Sequence, residues 1–394
     1  MRVLSSAGPT IIRSALARRG CNNYHARMIA WAVIVGGVVI AGVLLDAFES
    51  VVLPRRVTRR FRLSRGFYRS TWFPFSSLAR RIRNTRRRES LLALYGPMSL
   101  ILLLALWAVG LLFGFALLQW ATGSNLQGAS RPRSFITDLY FSGTTLFTLG
   151  LGDVTPSANL ARMLAVLESG LGLAFLAMVI SYLPVVYQAF SRRELSVVLL
   201  DARAGTPPTA GELLRRNSDP TDGNLREILH EWEHSAAELL ESHISYPVVA
   251  YYRSQHDNQS WIAALTAILD ASALCQVAVD GAPAGQAQLT FAIARHAVVD
   301  LAQVFSTPPQ EPREPRLTPE SFQLLLTQLT DAGVRLSLRP DAEQRLAKLR
   351  TMYEPYVAAL ADRFLVQLPP WFRSPQAHDN WRTSRWGGAF TVTG

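Results

Sequence analysis

The chain has 394 residues, of which 49% are hydrophobic, and a formal net charge of +11. The basic excess lies in residues 1–194, because residues 195–394 hold 17 Lys and Arg against 22 Asp and Glu. This distribution argues against nucleic acid as a partner, and the length allows two or three domains.

The first predicted elements are an N-terminal arm and a membrane span. Residues 1–27 hold five arginines and no acid, and we expect an unstructured external arm, a targeting segment or residues upstream of a start at Met28. Residues 28–54 predict the first transmembrane helix, since no charge precedes Asp46. We expect Asp46 and Glu49, at its inner end, to pair with Arg55 or Arg56.

An arginine-rich segment follows at residues 55–90, with 13 arginines and one acid, Glu89. Clustered arginine beside a span marks the cytoplasmic side of a membrane protein. The interleaved aromatic residues suit an interfacial segment on anionic lipid, and we expect such lipid along residues 55–88. A plain role in setting the topology is the alternative.

Residues 91–193 predict two spans that enclose a short loop. The apolar stretches lie at about 98–120 and 159–190. Between them, residues 135–147 give only about 20 Å of helix, too short to cross a hydrocarbon core of about 30 Å. We predict a re-entrant helix followed by TTLFTLGLGD at 144–153. Backbone outside a helix is tolerated at that depth only where it lines a cavity.

The run TLGLGD, preceded by LYFSGTTLF, resembles the pore signature T-V-G-Y-G-D of potassium channels. It is similar to the pore modules of two-transmembrane and two-pore-domain K⁺ channels, and implies a bacterial channel with a single pore loop. The resemblance implies that backbone carbonyls of four subunits replace the hydration shell of K⁺, and therefore a homotetramer. The implied filter residues are Thr148, Leu149, Gly150, Leu151 and Gly152, with Asp153 at the outer mouth.

Two positions depart from that signature. Leu151 stands where Tyr or Phe is usual, and Phe147 stands where threonine is common. Leucine at the first position occurs in the second pore loop of some two-pore-domain channels. A poorly selective monovalent cation channel is therefore the alternative. In the last span, the resemblance implies a gating hinge at Gly172, and Pro184 removes a backbone donor near the inner end; close helix packing is the alternative role for glycine.

The C-terminal half predicts helices only. Residues 194–223 are a linker around a short helix, 224–367 a helical domain, and 368–394 a loosely ordered tail. We expect domain helices near 224–243, 259–278, 284–305, 319–332 and 341–366. The sequence contains no Gly-rich phosphate-binding motif after a predicted strand, so no organic cofactor is indicated.

The sequence HEWEH places His230 and His234 at the spacing of a zinc-protease motif. The charged Glu233 and the polar surroundings favour an ordinary solvated helix face. A regulatory metal site and a membrane metalloprotease are the alternatives.

The sequence thus predicts an all-α membrane protein with three transmembrane helices, a re-entrant pore helix, a selectivity filter and a cytoplasmic all-helical C-terminal domain. We expect a tetrameric K⁺ channel of the cell membrane that binds K⁺ in its filter and is not an enzyme.

Overall fold

The computed structural model describes residues 9–53, 62–122, 126–127, 134–217, 219, 223–256, 258–337 and 339–373, with side chains from residue 26 onward. These residues are mostly helical. The exception is a pair of two-residue strands, β1 (Leu126–Gln127) and β2 (Thr155–Pro156), which are antiparallel. The chain forms two compact units: the first contains the described parts of Met1–Leu53, Val57–Arg69 and Ile101–Leu183, and the second Ser70–Leu100 and the described part of Pro184–Gly394.

Among the described residues, three helices are long and apolar enough to cross a membrane: α1 (Pro9–Ala47, from Ala26 onward), α3 (Thr85–Ala121) and α5 (Asn159–Ala204). At 1.5 Å per residue, α3 extends about 56 Å and α5 about 69 Å, well beyond a hydrocarbon core of about 30 Å. Both helices therefore continue outside the apolar layer. They frame a short helix, α4 (Phe135–Leu146), which confirms the predicted order of elements.

The first helix begins earlier than the sequence predicts. The predicted arm ends at residue 27, whereas α1 starts at Pro9 and continues through a π-helical turn at Phe48–Val52. Proline fits the first helical position, because its fixed φ suits a helix and its missing N–H would have no partner there. The described part of the predicted arm is therefore helical, and residues 1–8 lie outside the described residues.

The arginine-rich segment contains an amphipathic helix, α2 (Leu63–Arg81). Trp72, Ser76 and Ala79 are buried, a spacing of four and three residues that places them on one face. The Trp72 ring lies 4.7 Å from that of Tyr95 and 5.1 Å from that of Tyr251. Trp72 belongs to the segment that its composition places at the lipid interface, but its ring is packed inside the second unit. Phe73, the next residue, is exposed.

The second unit is built around α8, whose residues are almost all buried, as expected of a helix that is apolar on every side. The predicted domain helices are all found, except that the last one is split in two near Tyr353, with Pro355 in the first turn after the break. The helices are α6 (Ala210–Asn217), α7 (Asn224–Ser245), α8 (Trp261–Val277), α9 (Ala284–Val304), α10 (Pro319–Asp331), α11 (Ala342–Thr351) and α12 (Glu354–Phe364).

The beginning of the tail is packed, contrary to prediction. Trp371 is buried, and the guanidinium carbons of Arg316 and Arg350 each lie 5.7 Å from its ring centroid. Its carbonyl accepts a hydrogen bond of 2.8 Å from the Gly211 N–H. Burial of the Trp371 indole and its cation–π contacts stabilise the start of the tail. The polar composition of the tail does not indicate these contacts. Residues 374–394 lie outside the described residues.

Candidate functional site

The loop after α4 is positioned by a capped helix that stops abruptly. The Ser134 hydroxyl accepts from the Ile136 N–H at 3.3 Å, as a helix N-cap does. After Leu146 the chain leaves the helix, and the Thr144 carbonyl accepts from the N–H groups of Leu149 at 2.8 Å and Gly150 at 3.3 Å. The loop therefore turns back over the last turn of α4.

The backbone of this loop alternates in handedness. Thr148, Gly150 and Gly152 have φ of +57°, +55° and +77°, whereas Leu149 and Leu151 between them do not have positive φ. Alternation of left- and right-handed residues turns successive peptide units the same way, so carbonyl oxygens can line one side of the strand. Glycine adopts the left-handed region without penalty, which explains its place at alternate positions.

The outer end of the loop is tied to α4. The Tyr140 hydroxyl donates to Asp153 Oδ2 at 2.8 Å, and the Val154 N–H donates to Asp153 Oδ1 at 3.0 Å. The predicted site residue Asp153 is thus an acceptor for both a side chain of α4 and the following backbone. Sequence reasoning missed Tyr140, because a contact between residues 13 apart across a turn has no local signal.

Behind the loop, the Ser142 hydroxyl lies within hydrogen-bond distance of both Glu168 of α5 and the Leu112 carbonyl of α3, the latter at 3.0 Å. Ser142 and Glu168 are fully buried. Glu168 therefore braces the short helix through this contact. One serine thereby connects all three helices that surround the loop.

The side chains of the loop are left open. Leu149 and Leu151 are each 63% exposed, and Phe147 is also exposed. Large apolar side chains next to this glycine-rich turn are therefore uncovered in the single chain. The sequence-predicted filter residues are therefore brought together as one continuous segment, on an uncovered face of the first unit.

Gly172 and Pro184 lie at two distinct positions on α5. A Cβ at Gly172 would overlap the Leu146 carbonyl at the end of α4, so glycine permits the close approach of these helices. This geometry supports the packing role, and hinge bending stays a prediction. Pro184 is inside the continuous helix, at the point where the first unit ends and the second begins.

The C-terminal end of α1 holds a buried acid, Asp46. Asp46 accepts from the Ser64 N–H and Trp107 Nε1, both at 3.0 Å. Arg62 Nε lies 4.0 Å from Asp46 Oδ1 and 3.7 Å from Glu49 Oε2. Arg62 thus supplies positive charge beside both acids, and the predicted partners Arg55 and Arg56 lie outside the described residues.

His230 and His234 are neighbours on α7. Their ring centroids are 4.7 Å apart, and His230 Nδ1 lies 3.7 Å from Glu233 Oε2. Glu231, the base that a protease motif would require, is paired with Arg203. Within the described part of the chain, no group of three His, Cys, Asp or Glu residues could hold a metal ion.

A buried ion pair anchors the second-unit part of α5. Arg193 Nη2 lies 2.9 Å from Glu194 Oε1, and the Arg193 guanidinium also donates to the carbonyls of Val249 at 2.8 Å and Tyr252 at 2.9 Å. Glu194 in turn accepts from the Ser254 hydroxyl at 3.1 Å. Although it follows the apolar stretch of α5, the Arg193 side chain is thus enclosed by protein.

His243 of α7 is fully buried close to that pair. Its Nδ1 lies 2.8 Å from the Leu239 carbonyl, and its ring centroid lies 5.0 Å from that of Trp261. Burial, reinforced by the positive charge of Arg193, lowers the pKa of His243 to about 3. The imidazole is therefore neutral at physiological pH.

Comparison with known proteins finds a family model that matches the part of the chain that contains this loop. Residues 101–189 match a family model described as "Ion channel", a range that includes the loop and most of its framing helices. A Bacillus subtilis (strain 168) protein described as "Uncharacterized membrane protein YdjJ" is 28% identical over 185 residues, covering 45% of this chain. The chain thus spans about half (52%) of that relative's length. No solved structure matches the chain significantly.

These matches support an ion channel located in a membrane, and point to a protein that is not an enzyme.

Proposed function

We propose that this protein is a homotetrameric, K⁺-selective channel whose filter is the segment Thr148–Gly152. The observation that carries the proposal is the alternating φ of this segment, which follows a helix too short to cross a bilayer. Such a backbone would present a row of carbonyl oxygen atoms on one side. Four such rows around one axis would replace the hydration shell of K⁺, which is the transported ion. The exposed Leu149 and Leu151 would then contact neighbouring subunits.

The channel lies in the cell membrane, with the second unit in the cytoplasm and acting on gating or assembly. The arginine-rich segment supports this orientation, because arginine is retained on the cytoplasmic side. Anionic lipid is the proposed partner along residues 55–88, where the exposed Phe73 lies on a helix that also presents Arg81 to solvent. In this proposal Gly172 and Pro184 are the bending points of α5.

Purified protein in planar lipid bilayers tests the proposal. With opposed K⁺ and Na⁺ gradients, the current should reverse close to the K⁺ equilibrium potential. The variant Gly150→Ala should lose this current, because its φ of +55° disfavours a Cβ. Gly170→Ala is the matched control and should conduct, since nothing lies within 4 Å of the added Cβ.

Two other outcomes discriminate the alternatives. A reversal potential near zero would retain the pore and favour the poorly selective cation channel. Absence of current in any salt would overturn the channel, and bound zinc that is lost on His230→Ala would then favour the metalloprotease.

A further inference from the structure

A cavity of about 400 Å³ lies between α7 and the part of α5 that belongs to the second unit. The residues that line it are all in the second unit, and its volume is within the range of roughly 300–1,000 Å³ that is usual for small-molecule sites. Polar pairs join the two helices and show that they run antiparallel: Arg203 with Glu231, Ser196 with Ser235, and Arg192 with Glu238. The cavity is thus formed within one compact unit of one chain.

Small side chains on both helices leave this space open. Ala189 and Ser196 are seven residues apart on α5, and Ser235 and Ser242 are seven residues apart on α7, so each pair lies on one face of its helix. All four residues line the cavity. The space therefore results from side-chain size on two facing helix surfaces.

The inner wall of the cavity is apolar. Val197, Trp232 and Leu239 line it and are only 2%, 3% and 5% exposed. The aromatic Trp232 is the largest of the three, and the face of an indole attracts both aromatic rings and organic cations. This wall therefore suits a ligand with an apolar ring.

The charges around the cavity leave an excess of one carboxylate. The charge of Arg193 is balanced by Glu194 at 2.9 Å, and that of Arg192 by Glu238 at 3.1 Å. Glu241 also lines the cavity, and no ion pair is found for it among the described residues. It lies one helical turn from Glu238, and like charges at this spacing repel each other. A bound cation would relieve this repulsion.

We propose that the cavity binds a small organic amine, with its ammonium group at Glu238 and Glu241 and an aromatic ring against Trp232. An anion would be repelled by the two carboxylates, and an inorganic cation would gain nothing from the apolar wall. The site lies within a single unit, so the inference holds whether or not the chain conducts ions.

Isothermal titration calorimetry of the purified, detergent-solubilised full-length protein tests the site, with the heats of empty micelles subtracted. Tryptamine, indole-3-propionate and tryptophol are the probes, because they share one ring system and carry an ammonium, a carboxylate and a hydroxyl group. Tryptamine should bind at least about tenfold more tightly than the other two, since only its ammonium forms charge-assisted hydrogen bonds with the carboxylates. Equal affinities of the three probes, or no binding of tryptamine, would overturn the proposal.

A charge-removing variant tests the carboxylate. Glu241→Gln keeps the size of the side chain and should weaken tryptamine binding at least about tenfold. Glu227→Gln is the matched control, because Glu227 is an exposed acid of the same helix, about 21 Å away along its axis, and does not line the cavity. An unchanged affinity of Glu241→Gln, or an equal loss in the control, would overturn the assignment.

A filling variant tests the cavity itself. Ala189→Leu should abolish tryptamine binding, because the larger side chain would occupy the space. Ala202→Leu is the control, since Ala202 is exposed on the same helix and does not line the cavity, and it should bind tryptamine normally. Retained binding by Ala189→Leu would place tryptamine elsewhere and overturn the proposal. If Ala189→Leu fails to fold, the comparison of Glu241→Gln with Glu227→Gln decides.

Ethanolamine lipids carry the same ammonium group as a free amine, so a competition experiment separates the two sources. O-phosphoethanolamine has the headgroup of these lipids without an aromatic ring, and it should not displace tryptamine at equal concentration. Displacement would overturn the aromatic amine and assign the site to a lipid headgroup.

Discussion

Individual glycines and one histidine have separable physical roles in this protein. Gly150 and Gly152 supply positive φ, whereas Gly172 supplies space for the Leu146 carbonyl. The run TLGLGD predicted the first role, since glycine at alternate positions is visible in sequence. The close approach at Gly172 and the burial of His243 depend on which helices meet, so they could not be predicted from the residues alone.

The neutral state of His243 predicts acid sensitivity of the second unit. Its pKa is about 3 when folded and 6.5 in the reference state, so between these values the unfolded chain binds the extra proton. The contribution of His243 to the free energy of unfolding is therefore fully present above pH 6.5 and decreases as the pH falls toward 3. From pH 7 to pH 5 the expected loss is about 2 kcal/mol.

Urea unfolding of the native protein and of His243→Gln at pH 7 and pH 5 measures this effect. The variant has no titrating group at this position. Its free energy of unfolding should therefore decrease by about 2 kcal/mol less than that of the native protein between pH 7 and pH 5. An identical pH dependence of the two proteins would contradict the assignment.

At the level of elements, the turn at Pro247–Tyr251 connects several helices of the second unit. Tyr251 packs against Trp72 of α2 and Phe364 of α12, with ring centroids 5.1 and 5.2 Å apart. The next residue, Tyr252, accepts from Arg193 of α5 and closely approaches Gly96 of α3. Within the second unit, α3 and α5 thus both contact the segment that follows Pro247, and this segment anchors the two helices.

Removing one partner of the buried pair should loosen this anchor. In Glu194→Gln the Arg193 charge stays enclosed without its carboxylate, which typically costs about 3 kcal/mol. Hydrogen exchange of residues 246–255 should then become roughly a hundredfold faster. Glu238→Gln is the matched control: it breaks the exposed pair with Arg192, worth less than about 1 kcal/mol. Equal exchange in both variants would show that the buried pair is not an anchor.

At the scale of the whole molecule, α5 is one continuous helix of 46 residues that belongs to both compact units. Pro184 lies at the boundary between them, where a missing backbone hydrogen bond permits bending. In the proposed tetramer, the exposed side chains of Phe147, Leu149 and Leu151 would contact neighbouring subunits.

Native mass spectrometry of the detergent-solubilised protein should accordingly find four chains of 43.6 kDa in one particle. Closure of a ring by identical contacts favours a fixed copy number, so the distribution should be narrow. A predominant dimer would contradict the proposed tetramer, even if the sample conducts ions in planar bilayers.

The sequence by itself determined the order of elements, the three spans, the short helix and the glycine-alternating loop, because hydrophobic length and backbone chemistry are local properties. It also located the helices of the C-terminal half, since their apolar periodicity lies within each helix. Only the tertiary structure decided that Trp72, Arg193 and Trp371 are enclosed and that Arg62 serves Asp46. Whether an aromatic or charged side chain faces solvent, lipid or protein depends on partners distant in sequence, and no local pattern records them.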